Sequence, residues 1–338
     1  MTPAAQPTPQ TARKGPFNVA CALAAALLIL GVAADLSCAE RLEDERLVFE
    51  EGYEVYSING RGQDTTKVLA KVETRSGASA HERLFHAYFQ PSLSPDGRRV
   101  ACIRYRNYSP VRFNDPELIP IQSSEILIVS VHDGAETIVY TLPEGQFDAL
   151  GPSRGVRKRS LSAPVFSLDG GEVFFLAGNR LLVYRLQHQS TEEVVRLPVG
   201  YAASTTPDYT TSTYIRLSAD GKKVFALVDD PGTNVERGIW RIDLALREAT
   251  KLWSGLLDER SVIDVRVVPR EVDDEGAEAL FGSREFPVLA PRFSSDRRYY
   301  FFVKLRLGFF AKMWIGGYDK VSGREFVVKT LRRGLYWE

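Results

Sequence analysis

Arg216 and Arg292 occupy the same place in two segments built alike, Ile215-Arg-Leu-Ser-Ala-Asp-Gly221 and Pro291-Arg-Phe-Ser-Ser-Asp296-Arg297. If the fold brings them together, two planar guanidinium forks favour a carboxylate or a phosphate group. The competing reading is that each pairs with a neighbouring carboxylate, because buried charges need partners. A second basic feature, Arg154, Arg157, Lys158 and Arg159, is a binding candidate that also reads as a solvated loop. Asp96, Asp169, Asp220 and Asp296 recur at matching places and invite a calcium or acid–base role. They read better as turn residues, since Asp bonds its own backbone in turns. His81-Glu-Arg-Leu-Phe-His86 mimics a zinc-protease helix, but the wider spacing takes the two histidines off one helical face. The acidic run Glu271 to Glu278 has no Glu where a calcium loop would close, and reads as a solvated loop. P-loop and C-x-x-C motifs are absent from the sequence. No catalytic residue, metal ligand or cofactor is therefore assigned.

The chemistry needs a compartment and a scaffold. Forty-three basic and forty-three acidic residues cancel over 338 residues, so no global field attracts nucleic acid or an anionic membrane. Arg13 and Lys14 precede an apolar run from Phe17 to Ala34, followed by small residues and the charged Glu40. Residues 1–39 thus read as an export signal cleaved before Glu40, with an uncleaved anchor over 17–36 as the alternative. Cleavage there leaves Cys102 alone in Val100-Ala101-Cys102-Ile103, a small buried hydrophobe rather than half of a disulfide.

Internal repetition sets the fold. Pro91-Ser-Leu-Ser-Pro-Asp-Gly97, Pro164-Val-Phe-Ser-Leu-Asp-Gly170 and the two arginine-bearing segments each precede a β-rich run. The runs are Val100–Tyr105, Val173–Leu176, Val224–Val228 and Tyr299–Val303. A strand ending at Ser, an Asp-Gly turn and a returning strand make a hairpin. Asp296-Arg297 lacks the Gly, which predicts a different or strained turn. Downstream, Val55–Asn59, Ile126–Ser130, Val183–Gln187, Ile239–Asp243 and Met313–Gly317 are equivalent. Each is followed by a last strand: Thr66–Val72, Glu136–Leu142, Glu192–Leu197, Glu248–Trp253 and Arg324–Leu331. Four short antiparallel strands, repeated, make propeller blades.

These residues resemble the TolB-like β-propeller repeat, with its Pro-x-Phe-Ser-Pro-Asp-Gly hallmark, over Arg46 to Glu338. The resemblance implies an all-β propeller of four-stranded antiparallel blades over 40–338, in five repeat units or six. Inserts near 144–161 and 256–289 explain the unequal repeat spacing; a strand is expected in the second, over Val262–Val268. The aromatics Tyr299 to Phe302, Phe309, Phe310, Trp240 and Trp314 are expected in the core, with an exposed contact patch as the alternative for Phe309-Phe310. The first unit lacks its opening strand, and Gly334–Glu338 is expected to supply it beside Arg46–Glu50.

A repeat of this kind implies architecture and leaves function open. The leading expectation is an extracytoplasmic binding or scaffold protein, periplasmic or secreted, holding another protein of the cell envelope. The rivals are an enzyme acting on a sugar or small anionic molecule at the channel mouth, and a membrane-anchored sensor. Four histidines confined to positions 81–188 give little raw material for the enzyme. Direct N-terminal sequencing of the exported protein should start at Glu40; a membrane-bound form retaining Met1 would refute cleavage.

Overall fold

The computed structural model describes residues 42–76, 84–108, 123–142, 161–198, 214–229, 236–256, 268–288, 291–306 and 312–331. From Glu45 onward the chain is one compact unit. It holds five antiparallel sheets, the blades of a five-bladed propeller. Blade 1 contains β1 (Arg46–Glu51), β2 (Glu54–Asn59) and β3 (Thr66–Leu69). Blade 2 contains β4 (Val72–Arg75), β5 (Leu84–Leu93), β6 (Arg99–Tyr108), β7 (Ser123–Ser130) and β8 (Glu136–Thr141). Blade 3 contains β9 (Val165–Phe166), β10 (Glu172–Ala177), β11 (Arg180–Arg185) and β12 (Ser190–Arg196). Blade 4 contains β13 (Tyr214–Leu217), β14 (Lys223–Asp229), β15 (Glu236–Asp243) and β16 (Glu248–Leu256). Blade 5 contains β17 (Arg292–Phe293), β18 (Tyr299–Arg306), β19 (Lys312–Asp319) and β20 (Arg324–Leu331).

The repeated motif makes the same turn four times. Ser94, Ser167, Ser218 and Ser294 each donate a hydroxyl to the Asp two residues on, at 2.5–2.7 Å. The same hydroxyl accepts the N–H of Arg99, Glu172, Lys223 or Tyr299, which starts the next strand. The residue after the Asp is left-handed: Gly97, Gly170 and Gly221 lie at φ 69–71°. Arg297 adopts the same conformation at φ 56°, so the departure from Asp-Gly keeps the turn type and accepts the strain. Its guanidinium lies 4.4 Å from the Phe293 ring centroid, a cation–π contact that offsets part of that cost.

A second repeat lies in the outer strands. In every blade the pairing between the last two strands slips by one residue. The extra residue is Val68, Val139, Val194, Leu252 or Val328, always aliphatic. A bulge raises the local twist of a strand pair, as the splayed outer edge of a blade requires. Val139, Val194 and Val328 are buried.

The core lies between blades. Val100, Cys102, Leu127 and Val129 of blade 2 pack on Val48, Val55 and Leu69 of blade 1. Ile103, Tyr105 and Ile126 meet Phe166, Val173 and Phe175 of blade 3. Phe174, Leu176 and Val183 meet Val224, Ala226 and Trp240 of blade 4. Each side chain fully buried in such a layer contributes about 1.5–3 kcal/mol.

Between blades 4 and 5 the chain departs from the sequence expectation. The acidic run is no solvated loop: α1 (Asp274–Phe281) forms there, capped by Asp273, which accepts the Gly276 N–H at 2.7 Å. Val272, Ala277, Ala279, Leu280 and Phe281 are buried against Tyr214, Phe225 and Leu227. The acids face outward into ion pairs, Glu275 with Lys223, Asp273 with Arg241, and Glu278 with Lys320 and Arg297. Alternation of acidic and small apolar residues hid an amphipathic helix. Residues 262–267 of the expected strand, Phe309-Phe310 and most of 144–161 lie outside the described residues. Tyr299, Tyr300, Phe301, Phe302 and Trp240 are buried as expected.

Blades 1 and 2 depart from the four-stranded rule. The expected strand Thr66–Val72 breaks at Ala70-Lys71, and β4 then pairs with β5 of the next blade. Blade 1 keeps three strands, and no described strand pairs the inner edge of β1. Gly334–Glu338, expected to fill that place, lies outside the described residues. Side-chain contacts join blade 5 to blade 1: Ser295 donates its N–H and its hydroxyl to Glu45, at 3.0 and 2.6 Å. The Lys329 ammonium lies 4.8 Å from the Phe49 ring centroid.

Asp319, at the outer turn of blade 5, makes a pH test of this framework. Burial raises its carboxyl, but Arg298 at 3.1 and 2.8 Å, the Val321 N–H and the Ser322 hydroxyl outweigh burial and hold it at about 2. The folded value lies below the ordinary one, so this stabilisation is complete above about pH 4 and is lost as pH falls towards about 2. Asp319→Asn should lower the urea midpoint at pH 7 and flatten its decline below about pH 4. An unchanged midpoint and slope would show the pair to be inert.

Candidate functional site

The two ends of the blades differ in construction. At one end the first and second strands meet in the Ser-x-Asp turns. The third and fourth strands meet there too, in short turns at 60–65, 131–135, 186–189, 244–247 and 320–323. Every connection of the other kind, second strand to third or blade to blade, leaves from the opposite end. The strand ends flanking 109–122, 143–160, 199–213, 257–267 and 307–311 therefore share one rim. Arg157, Lys158 and Arg159 lie outside the described residues, but their connection is rooted on that rim between β8 and β9.

Arg216 and Arg292 sit on β13 and β17, the innermost strands of blades 4 and 5. Arg216 Nε donates to the Pro291 carbonyl at 3.0 Å, and its Nη1 to the Ile215 carbonyl at 2.8 Å. Arg292 Nη1 donates to the Val48 carbonyl, and Nη2 to the Pro91 carbonyl. Main-chain carbonyls thus orient both forks, and the Glu50 carboxylate of the alternative reading acts electrostatically on Arg292. Burial pushes Arg216 down to about 10. Burial, and then the Arg216 charge, pushes Arg292 down to about 9, with Glu50 acting against them.

Two residues of this centre, Gln90 and Glu50, escaped the reading of the sequence. Gln90 is left-handed at φ 50°, donates its N–H to Glu50 Oε2 at 2.7 Å, and buries its Oε1 without a hydrogen-bond partner. A Gln before the motif proline carries no signal of its own; it falls in the register shift between β5 and β6.

A second polar centre lies on the face of blade 2 that meets blade 1. Arg104, buried on β6, binds Glu125 of β7 through Nε at 2.8 Å and Nη2 at 2.6 Å. Its Nη1 reaches Glu136 at 2.6 Å, and Arg106 reaches Glu125 at 3.0 Å. Two cations thus meet two carboxylates, which keeps the buried charges paired. His86 lies on β5, a strand, so the zinc-helix pattern fails in conformation as well as in spacing; His81 lies outside the described residues. Burial, and then the Arg104 and Arg106 charges, lower the His86 pKa, and its Nδ1 is buried without a partner. Among the described residues no group of three or more His, Cys, Asp or Glu is placed to hold a metal ion.

No family model and no curated protein matches the chain. Among solved structures it is similar to TolB from Acinetobacter baumannii, at 13% identity and a TM-score of 0.40. That match covers 86% of this chain and 54% of TolB, so the chain spans little more than half of that protein. It is similar to an oligogalacturonate lyase from Vibrio parahaemolyticus, at 9% identity and a TM-score of 0.34, covering 85% of this chain and 74% of the lyase. A chain of a nidogen/laminin complex matches at 11% identity and a TM-score of 0.42, covering 86% of this chain and 94% of its own.

The blade 2 network makes a prediction about stability. Glu125→Gln leaves the Arg104 guanidinium buried without its main counter-charge and should cost about 3–5 kcal/mol in urea denaturation. Arg106→Gln, whose side chain is 41% exposed, should cost no more than about 1 kcal/mol. Equal small losses would show that the network does not hold blade 2.

Proposed function

We propose that this chain is an extracytoplasmic binding propeller that holds a protein of the cell envelope on the rim carrying its long connections. The observation behind this reading is the asymmetry of the two ends. One end is closed by short turns, most of them bonded to their own Ser and Asp side chains. The other roots connections of varied length and composition on a rigid ring. A stiff scaffold with variable loops along one edge is how binding surfaces are commonly built. The charge of one such connection adds chemistry: Arg154, Arg157, Lys158 and Arg159 suit an acidic partner surface. Export rests on the N-terminal signal pattern. No helix among the described residues is long and apolar enough to cross a membrane.

The test compares two charge reversals in the tagged, exported protein. Arg157, Lys158 and Arg159 are changed together to Glu on the loop rim, and Lys222 is changed to Glu on the turn face. After cross-linking in the native envelope, the triple variant should lose the partner recovered with the parent by about tenfold, in keeping with the reversal of three charges. The Lys222 variant should keep it, and both should melt like the parent. Equal recovery with all three proteins removes the basic connection from the binding surface.

A further inference from the structure

We propose that His86 is a proton-operated latch: while its ring is neutral β4 stays paired to β5, and protonation in mild acid releases β4. The inference concerns blade 2 alone and stands whether or not the loop rim holds a partner. β4 is built to come away. It follows blade 1 in the chain but pairs with β5 of blade 2, Val72 opposite His86, Glu73 opposite Phe85 and Arg75 opposite Leu84, with a register shift on the way. All four of its residues are exposed, so little apolar burial holds it. Segments of that kind lie at the low-stability end of a fold. β5 runs towards the Ser94 turn, so its residues paired with β4 lie at the opposite, loop-bearing end.

His86 sits where a charge is hard to accommodate. Its Nδ1 is buried without a hydrogen-bond partner. A neutral imidazole can leave that nitrogen as a bare lone pair, whereas an imidazolium carries a donor on both nitrogens. Protonation therefore buries an N–H without an acceptor, at the desolvation cost of an unmade bond. The charges acting on the ring come from three strands: Arg104 and Arg106 of β6, Glu125 of β7 and Glu136 of β8. Both carboxylates are already engaged. Glu125 holds Arg104 with Oε2 and Arg106 with Oε1. Glu136 holds Arg104 with Oε2, and its Oε1 accepts the Tyr88 hydroxyl at 3.5 Å. A third cation would compete with two arginines for two carboxylates.

The remaining neighbours offer no relief. Burial raises the Cys102 thiol and takes the Tyr88 hydroxyl up to about 12, so both stay neutral. Blade 1 meets this face with Val48, Val55 and Leu69. Lys71, just before β4, lies over the Phe85 ring and is itself a cation. Burial, and then the two arginines, lower the His86 pKa against the pull of the carboxylates. The paired state thus binds fewer protons than the released one. Its advantage is complete above the ordinary imidazole value of 6.5 and shrinks as pH falls below it. Water reaches the ring most readily by loss of β4, because β6 on the other side carries the fully buried Val100, Ala101, Cys102 and Ile103.

The experiment is hydrogen–deuterium exchange on the whole protein at about pH 7 and about pH 5.5, corrected for the intrinsic exchange rate. The opening constant of the β4 amides should rise by up to about tenfold, the full effect of an ordinary imidazole one pH unit below its midpoint. The amides of Val100 to Ile103 should not change. His86→Gln cannot take up the proton and should give β4 one opening constant at both pH values. His81→Gln, in the chain before β5, should respond like the parent. No rise in the parent overturns the proposal, and so does a rise that His86→Gln retains. If His86→Gln already opens β4 at about pH 7, an NMR titration of the His86 ring in the parent decides. A midpoint below the ordinary 6.5 supports the latch, and one at or above it overturns the latch.

Discussion

The grip of Arg292 on the carbonyls of Val48 and Pro91 lies where the ring has to close. A propeller blade normally ends inward on a strand whose hydrogen-bonding edge faces its neighbours. Blade 1 opens instead on β1, whose inner edge is paired by no described strand. Leaving such an edge bare invites association with other chains. One guanidinium reaches across from blade 5 to blade 1 and blade 2. Arg216 ties blade 4 to blade 5 in the same way. The centre is thus held by charged side chains on main-chain acceptors.

Outside the centre, the ring is a stack of apolar layers, and the layers explain its irregular parts. The layer at blades 4 and 5 contains α1, whose Leu280 and Phe281 pack against blade 4 while its acids pair with Lys223, Lys320 and Arg297. The Tyr214 and Tyr300 hydroxyls donate to the Leu280 and Phe286 carbonyls, from blades 4 and 5 in turn. An insertion has become a wedge that two blades share. On blade 2, Arg104 and Glu125 carry an ion pair into the face that meets blade 1. Burial makes such pairs costly to break and gives little net stability, so they act mainly to fix which arrangement is adopted.

These constraints separate the roles of the two ends. The turn end uses its Ser and Asp side chains on itself, with hydroxyls and carboxylates bonded within the turn. The opposite rim carries the chain's variety, and the proposed binding function uses that rim. The centre differs from both, since its two guanidiniums tie one blade to another.

Five blades, the Ser-x-Asp turns and the strand pairs were legible in the sequence because they rest on local rules. A period of two, a left-handed turn residue and a short return strand need only a few neighbours. Arg216 and Arg292 were legible as a pair by repeat position. Their partners were not, because Val48 and Pro91 lie far away in the chain and offer only backbone, which has no sequence signature. The five outer bulges were equally silent: Val68, Val139, Val194, Leu252 and Val328 look like ordinary strand residues until register is known. The helix over 274–281 was hidden because its apolar residues are small and its acids numerous. Only the hydrophobic surface of blade 4 gives it a side to bury. What the chain could state alone was its repeating unit; how the units meet is decided by contacts between residues as far apart as Arg292 and Val48.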